Sequence, residues 1–359
     1  MKRRTLLKTW SLSALALIQP THAATKIIAS SCAASAGTAT PFYRASELVL
    51  GGLQSHWLPR AHAFAQTASA LHQTLQTTPA DVPTQRAAWV RCMLAWEQLA
   101  AVPAGALLER RSVRTLDFWP TRTAQVQALA QVAKDASVEV LAARVRAAGV
   151  GAKGLPALEW LLWAQATQPS TQALAAAISS EVSAEAGTLL QAYQTAAQAP
   201  DSDSVDEAQA WADYGEWFTQ CMGSLDQLRL KKMRVNTRGK DSAIWVRGLS
   251  GQTAAAWQAQ WESIAHFLAS DSADTCTPSN DAVARSFTDL LRSRGHLAPA
   301  TQLAQQLATT RLAVHAARPQ AASSVLRAQH SIAALHTLAS DMGARLFDFS
   351  QGFTDADGD

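Results

Sequence analysis

The segment that decides the fold of this chain is residues 154–163, which read Gly-Leu-Pro-Ala-Leu-Glu-Trp-Leu-Leu-Trp. It is apolar on every face except for one carboxylate, Glu159, and a helix of that kind belongs in a protein core. Pro156 fits only near the start of a helix, which places Glu159 about one turn in. A buried carboxylate needs an ionic partner, a proton or a function. Glu159 is therefore either an acid stabilised by the helix dipole or a functional buried carboxylate.

The rest of the chain has the composition of a helical protein. Its 359 residues are 48% hydrophobic and 16% charged, and the usual charged fraction is about 25%. Alanine is abundant, which favours helix, and no segment of any length alternates as a half-buried strand does. The sequence therefore predicts an all-α fold of two packed helical bundles.

The predicted organisation has four parts. They are a signal peptide at 1–23, a flexible leader at 24–40, an N-terminal helical bundle at 41–200 and a C-terminal helical bundle at 201–359. Polar and turn-forming residues at 200–204 make that stretch the best candidate for a linker. The two halves have similar numbers of predicted helices, which indicates an internal duplication.

The N-terminus has the pattern of an export signal. Four basic residues within positions 1–8 precede an apolar run over 10–18, and small residues lead to Ala23. The run is too short to span a bilayer. The Arg3-Arg4 pair also resembles a twin-arginine signal, so export by the Sec route or by the twin-arginine route stays open. Cleavage after Ala23 leaves 27 basic against 28 acidic residues. We expect a periplasmic protein with no transmembrane span and no affinity for nucleic acid.

Two further acids and one arginine are candidates for a functional site. Glu97 lies on the edge of the apolar face of an amphipathic helix, so it is either a buried carboxylate or an exposed acid at the rim. Asp117 and Arg114 lie in an irregular segment that also contains Trp119. Loops that carry charged and aromatic residues together are where sites tend to lie, although a local Arg–Asp pair contributes little if exposed.

Four cysteines remain in the mature chain: Cys32, Cys92, Cys221 and Cys276. An exported compartment permits disulfides, and four cysteines allow up to two bridges in three connectivities. Cys92 lies on an apolar helical stripe, so a buried free thiol is the alternative there.

Several separated segments resemble the imelysin family, and they occur in the family's order. The central segment is similar to the family's GxHxxE motif, in the branch that has GxPxxE instead, with Pro156 at the position of the histidine. The other matching segments are 89–97, 114–120, 245–250 and 352–359. The resemblance covers nearly the whole mature chain. It implies an exported, all-helical, two-bundle protein of the bacterial envelope, of a kind often linked with iron or haem uptake.

The resemblance also implies a site around this motif, between the two bundles. Gly154 and Glu159 match the motif, and founding members of the family are classed as metallopeptidases. Proline supplies no ligand, however, and catalytic zinc usually has three protein ligands. Asp117 or Glu97 would instead complete an oxygen-rich set suited to calcium, manganese or ferric iron.

Three functions are consistent with these residues. The first is a non-enzymatic protein that binds a metal ion (iron or calcium) or a small ligand between the bundles, in iron or haem acquisition with an envelope uptake system. In it Glu159 is central, Arg114 holds Glu159 ionised, and Asp117, Trp119 and Glu97 line the site. The second is a metal-dependent peptidase with Glu159 as general base. The third is a structural or interaction protein, with Glu159 in a buried Arg–Glu pair that joins the bundles. A cavity beside Glu159 favours the first function over the third.

Overall fold

The computed structural model describes residues 41–77, 81–165, 168–198, 206–234, 236–237, 243–269 and 286–349. The fold is all-α, as predicted. In chain order the α-helices are α1 (Ala45–Gly52), α2 (Leu58–Thr77), α3 (Val82–Leu99), α4 (Ala106–Glu109), α5 (Ser112–Leu116), α6 (Thr123–Val132), α7 (Val138–Ala147), α8 (Gly154–Ala164), α9 (Pro169–Ala196), α10 (Glu207–Asp226), α11 (Thr253–Leu268), α12 (Phe287–Ser293), α13 (Leu297–Ala316) and α14 (Ala322–Phe347).

Shorter elements interrupt or connect these helices. A π-helical stretch, Leu53–Trp57, joins α1 to α2, and a second one, Gln227–Lys232, extends α10. A 3₁₀ turn at Val150–Ala152 precedes α8. Strands β1 (Asn236–Thr237) and β2 (Ala243–Ile244) form an antiparallel pair, which is too short to produce the alternating pattern that reveals a strand in a sequence.

Several sequence predictions lie outside the described residues. They are the signal peptide and leader at 1–40, the linker at 200–204, Cys32, Cys276 and the closing segment 352–359. The described residues form one compact unit. The boundary between two bundles at 200 and the internal duplication stay predictions.

Helices α2, α3, α8 and α9 form the core of the first half. The buried residues of α2 recur every three or four positions, which gives one apolar stripe that packs on α3 and α9. Helix α8 is buried on nearly all sides, as its sequence predicts. The indole of Trp89 on α3 donates a hydrogen bond to the carbonyl of Leu155 on α8 at 3.1 Å. This bond fixes the position of α3 against α8.

The second half is built on α10, α11, α13 and α14. It packs against the first half through two pairs of helices. Helix α11 packs against α3, and α1 packs against α10. At the latter contact the backbone N–H and hydroxyl of Ser46 donate to the carboxylate of Glu207 at 3.1 and 2.5 Å. The two sequence halves therefore share one core.

Gly154 sets the position of α8 against α5. Its φ is +75°, in the left-handed region that favours glycine. A Cβ on Gly154 would lie 2.3 Å from the carbonyl oxygen of Leu116, the last residue of α5. The close approach places the residue after α5, Asp117, beside the start of α8.

The described cysteines are free thiols. Cys92 and Cys221 are free and buried, so the alternative of a buried thiol is the one found for Cys92. Burial raises the pKa of the Cys92 thiol to about 12.

Within the described residues no helix combines the length and apolarity needed to cross a bilayer.

Replacing Gly154 by alanine is expected to destabilise the protein by about 2 kcal/mol or more, because the new Cβ meets a backbone carbonyl in a strained conformation. Urea unfolding followed by circular dichroism measures the change. The matched control is Gly187→Ala within α9, where a Cβ meets nothing within 4 Å and helix propensity predicts a gain of about 0.5–1 kcal/mol. Equal effects at the two glycines would contradict this account of the α5–α8 contact.

Candidate functional site

Glu97 lies at the centre of a buried group of charged side chains. It is 1% exposed, so of the two predicted alternatives the buried carboxylate is the one observed. Its Oε1 accepts a hydrogen bond from the Nε of Arg247 at 3.0 Å, and the Nη2 of the same guanidinium lies 2.9 Å from it in an ion pair. Its Oε2 accepts from Lys232 Nζ at 2.9 Å and from the side-chain amide of Gln260. Both oxygens of this carboxylate are therefore occupied by protein donors.

Arg247 connects Glu97 to a second acid. The guanidinium is 1% exposed, and its Nη2 donates to Asp117 Oδ1 at 2.6 Å. The other oxygen of Asp117 accepts from the indole of Trp96 at 3.1 Å. The guanidinium carbon also lies 5.8 Å from the ring centre of Trp89, within the range of cation–π attraction. One buried cation thus serves two carboxylates and an aromatic face.

Glu159 holds the turn that carries this arginine. Glu159 is 6% exposed, and its Oε1 accepts from the backbone N–H of Ser250 at 2.9 Å and from the Ser250 hydroxyl at 2.6 Å. Its negative charge also stabilises the Arg247 cation. We call Glu97, Asp117, Glu159, Lys232 and Arg247 the ionic cluster.

The turn before α11 aims Arg247 into the core through an unusual backbone. Arg247 has a φ of +60°, a strained conformation for a residue with a Cβ, and such residues concentrate at functional sites. Gly248 follows because a Cβ there would lie 2.9 Å from the carbonyl oxygen of Trp245. Hydrogen bonds from Gln252 N to Arg247 O at 3.0 Å and from the Thr253 hydroxyl to Val246 O at 2.8 Å close the turn.

Opposite charges outweigh burial within the ionic cluster. Burial alone raises the pKa of Glu97, but Lys232 and Arg247, with the hydrogen bonds from Lys232 and Gln260, lower that pKa to about 2. Burial likewise lowers the pKa of Arg247, and the charges of Asp117, Glu97 and Glu159 raise it above its ordinary value. Glu97 and Arg247 are therefore both ionised at neutral pH.

The ionic cluster is held by hydrogen bonds between the two halves of the sequence. Its acids accept these bonds from Lys232, Arg247, Gln260 and Ser250. The three acids come from residues before 165 and their donors from residues after 230. The bonded residues are 91 to 163 positions apart. The ionic cluster consequently joins the two halves of the chain.

A comparison with family models gives a match over most of the chain. Residues 56–346 match the model of the peptidase M75 family, described as imelysin. The chain belongs to the imelysin family. The predicted family membership is thereby confirmed, and the assignment to a branch with proline in place of the motif histidine stays a prediction.

Two solved structures share the fold of this imelysin-family chain. One is an imelysin-like protein from Psychrobacter arcticum 273-4, with a TM-score of 0.67 and 15% identity, covering 88% of this chain and 100% of that one. The other is a putative iron-regulated protein A precursor from Parabacteroides distasonis ATCC 8503, with a TM-score of 0.66 and 13% identity, covering 85% and 95%. No curated protein gives a significant match.

Arg114 does not make the predicted pair with Glu159. It is exposed, and in the part of the chain that the structure describes no ion pair joins it to Glu159 or Asp117. The buried residues of the short helix α5 are Ser112 and Leu116, four apart on one face, and a residue midway between them points to the opposite side. The buried arginine beside these acids is Arg247, which pairs with Glu97 and Asp117, whereas Glu159 bonds to Ser250.

Trp119 and Gly154 lie around the ionic cluster without bonding to it. Trp119 is half-buried and precedes a cis peptide bond to Pro120, and among the described contacts it makes no hydrogen bond to Glu159 or Asp117. Gly154 acts through its close contact with Leu116. The structure thus brings Glu97, Asp117 and Glu159 to one cluster and leaves Trp119 and Arg114 out of it.

The ionic cluster does not fit a metal ion. The guanidinium of Arg247 lies between Glu97 and Asp117, where a cation shared by both carboxylates would lie. Pro156 stands at the position of the family's histidine and supplies no donor atom. Within the described residues no three or more His, Cys, Asp or Glu side chains converge as metal ligands. The metal site at Glu159 and Asp117 stays a prediction without support from this donor geometry.

Four residues of the arrangement are not predicted from the sequence: Lys232, Arg247, Ser250 and Gln260. The segment 245–250 resembled the family and contains a single arginine, which was the available signal for Arg247. Lys232 lies in a run of basic residues, a pattern that usually indicates a solvated helix end. Gln260 is an uncharged residue on α11, and nothing in its sequence neighbourhood indicates its bond to Glu97.

Acid is expected to weaken the contribution of Glu97 to stability. A carboxyl group whose folded pKa of about 2 lies below its ordinary value of 4.5 stabilises the fold above about pH 4.5 and loses that effect as the pH falls through 2. The variant Glu97→Gln lacks this term. We expect the difference in unfolding free energy between wild type and Glu97→Gln to be largest near pH 7 and to narrow between pH 4.5 and pH 2.

Chemical unfolding of both proteins across this pH range provides the measurement. Other carboxyl groups titrate in both proteins, so their effects cancel in the difference. The matched control is Glu109→Gln, because Glu109 is exposed on α4. A difference for Glu97→Gln that stays constant down to pH 2 would show that Glu97 is not held ionised by its partners.

Proposed function

We propose that this chain is an exported, non-enzymatic protein of the imelysin family that binds a small ligand in the envelope, in connection with iron acquisition. In this proposal the ionic cluster fastens the two halves of the chain together and is not itself the ligand site. The observation that carries the proposal is the closure of the cluster. Its central groups, Glu97 and Arg247, are each 1% exposed. Both oxygens of Glu97 and the Nε and Nη2 of Arg247 bond to protein atoms, and the buried Nη1 of Arg247 has no acceptor among the described residues.

The hydrogen bonds of Glu159 favour a structural role for this carboxylate over a catalytic one. A metal-dependent peptidase needs an open coordination position and a carboxylate free to take a proton from the metal-bound water. The Oε1 of Glu159 accepts two hydrogen bonds from Ser250, and the neighbouring family position is Pro156. These residues are arranged to hold a turn in place.

The energetics of buried ion pairs support a role in joining the halves. Burying an ion pair adds little net stability, because desolvation offsets the attraction, but removing one partner costs about 3–5 kcal/mol. Such pairs penalise every arrangement in which the partners are separated. We infer that the cluster specifies how the two halves pack, which is the third of the functions consistent with the sequence, combined with the ligand binding of the first.

The association with iron and the location rest on separate support. One structural neighbour is named a putative iron-regulated protein A precursor, and the resemblance to the imelysin family implies export to the envelope. The basic and apolar pattern at 1–23 of this chain supports cleavage after Ala23 and a periplasmic location. The route, Sec or twin-arginine, is left open by that pattern.

The substitution Glu159→Gln separates the proposed role from a catalytic one. The mature protein, purified without chelator, is expected to contain no stoichiometric metal and to cleave no peptide. Glu159→Gln is expected to lower the unfolding free energy by about 1–3 kcal/mol, because a charged acceptor of two hydrogen bonds becomes a neutral one. Metal analysis, a peptide-cleavage assay and urea unfolding measure these three quantities.

Two control variants sharpen this experiment. Ser250→Ala removes the hydroxyl donor and is expected to lower stability in the same direction as Glu159→Gln. Glu109→Gln changes an exposed acid and is expected to stay within about 0.5 kcal/mol of wild type. Stoichiometric metal together with peptide cleavage, both lost in Glu159→Gln, would overturn the proposed function in favour of a peptidase.

A further inference from the structure

A cleft lies at the C-terminal end of α14, away from the ionic cluster. Its volume is about 540 Å³, and ligand sites range from about 300 to 1,000 Å³. No residue of the ionic cluster lines it. The lining residues are Trp211, Arg294, His296, Ala344, Arg345, Leu346, Phe347 and Asp348.

Arg294 is the polar group that distinguishes this cleft. Its guanidinium carbon lies 3.7 Å from the ring centre of Phe42 and 5.9 Å from that of Trp211. Its Nη1 is buried, and no described residue accepts a hydrogen bond from it. Elsewhere Arg110 makes a two-pronged pair with Glu185 at 2.9 and 2.6 Å. Arg294 is held by aromatic rings and has no such carboxylate among the described residues.

A buried donor without an acceptor is costly, and the cost is removed when an acceptor arrives. Arginine stays protonated when it is partly buried, and its planar fork matches the two oxygens of a carboxylate. A ligand that places a carboxylate on Arg294 would therefore gain a charge-assisted, two-pronged contact. The aromatic rings beside Arg294 hold its guanidinium in position before the ligand binds.

The walls of the cleft suit a flat apolar body next to that carboxylate. The ring centres of Trp211 and Phe347 lie 6.0 Å apart, and those of His296 and Phe347 lie 5.8 Å apart, in edge-to-face geometries. Aromatic surfaces of this kind attract planar rings. The polar atoms of His296 offer a further contact.

One cation of the cleft has no acidic partner among the described residues. Two arginines, Arg294 and Arg345, line the cleft together with one acid, Asp348. Arg345 pairs with the exposed Asp341 on α14, so Arg294 remains the cation without an acidic partner in the described chain.

We propose that this cleft binds a small organic carboxylate with a flat aromatic body. The carboxylate contacts Arg294, and the aromatic body lies against Trp211 and Phe347. The inference rests on the proposed ligand-binding function in one respect, that the protein takes a small molecule, and it assigns that molecule a chemical class and a place.

The test uses 2-naphthoate as probe and the full mature protein, with binding followed by isothermal titration calorimetry. We expect saturable binding of one molecule per chain. The uncharged analogue 2-naphthalenemethanol is expected to bind at least tenfold more weakly, and so is 2-naphthoate to the variant Arg294→Gln. The matched control is Arg292→Gln, two residues away and paired with Asp289, which is expected to leave the binding constant unchanged.

A second variant keeps the test decisive if Arg294→Gln does not fold. Trp211→Leu keeps the charge and removes the ring, and we expect it to weaken 2-naphthoate binding at least threefold. No saturable binding to the wild-type protein would overturn the inference. Equal binding of the carboxylate and the alcohol, or equal binding to wild type and a folded Arg294→Gln, would overturn it as well.

The two proposals fail in distinguishable ways. Absence of 2-naphthoate binding in a protein that holds no metal and cleaves no peptide removes this inference and leaves the role of the ionic cluster intact. Metal-dependent cleavage that is lost in Glu159→Gln removes the proposed function, whatever binding constant the cleft shows.

Discussion

A buried guanidinium cannot give up its proton, so the carboxylates of Glu97 and Asp117 must stay where Arg247 can reach them. This single constraint relates most of the features around the centre of the molecule. Helix α3 supplies Glu97, the end of α5 supplies Asp117, and the turn before α11 supplies the arginine. Separating any of these elements would leave a charge in the core without its partner.

The neighbouring backbone is shaped to satisfy this constraint. Gly154 allows α8 to approach the end of α5, which fixes Asp117. Glu159, five residues later, holds Ser250 and with it the strained turn at Arg247. The π-helical end of α10 brings Lys232 to the second oxygen of Glu97. π-Helical stretches are rare and often mark functional positions.

The other π-helical stretch also lies at a contact between the two halves of the sequence. It contains His56, which is 2% exposed, and the Nδ1 atoms of His56 and His266 lie 3.4 Å apart. Burial, with the nearby charge of Arg60 and the neighbouring His266, lowers the pKa of His56 well below its ordinary value. A neutral His56 fits this apolar contact between the first and second halves of the sequence.

Local patterns in the sequence account for the helices and for the burial of the acids, and long-range pairing accounts for what was missed. The apolar surroundings of Glu159 and the stripe beside Glu97 are visible within ten residues of each acid. Arg114 lies near Asp117 in the sequence, yet a residue two positions from the buried face of a helix points outward. The true partner, Arg247, lies 130 residues from Asp117, and no periodicity reports on a contact of that separation. The predicted metal site lacks support for the same reason, because the cation between Glu97 and Asp117 is Arg247, from the second half of the sequence.

The most direct test of the central role of Arg247 is a double-mutant cycle between Glu97→Gln and Arg247→Leu, measured as free energies of unfolding at pH 7. The account predicts that Arg247→Leu alone costs about 3–5 kcal/mol and that the two changes together cost less than their sum by more than about 1 kcal/mol. A parallel cycle between Glu97→Gln and the exposed Arg114→Gln should be additive within about 0.5 kcal/mol. Additivity in the Glu97–Arg247 cycle would contradict the account, because it would mean that the buried pair does not hold the two halves together.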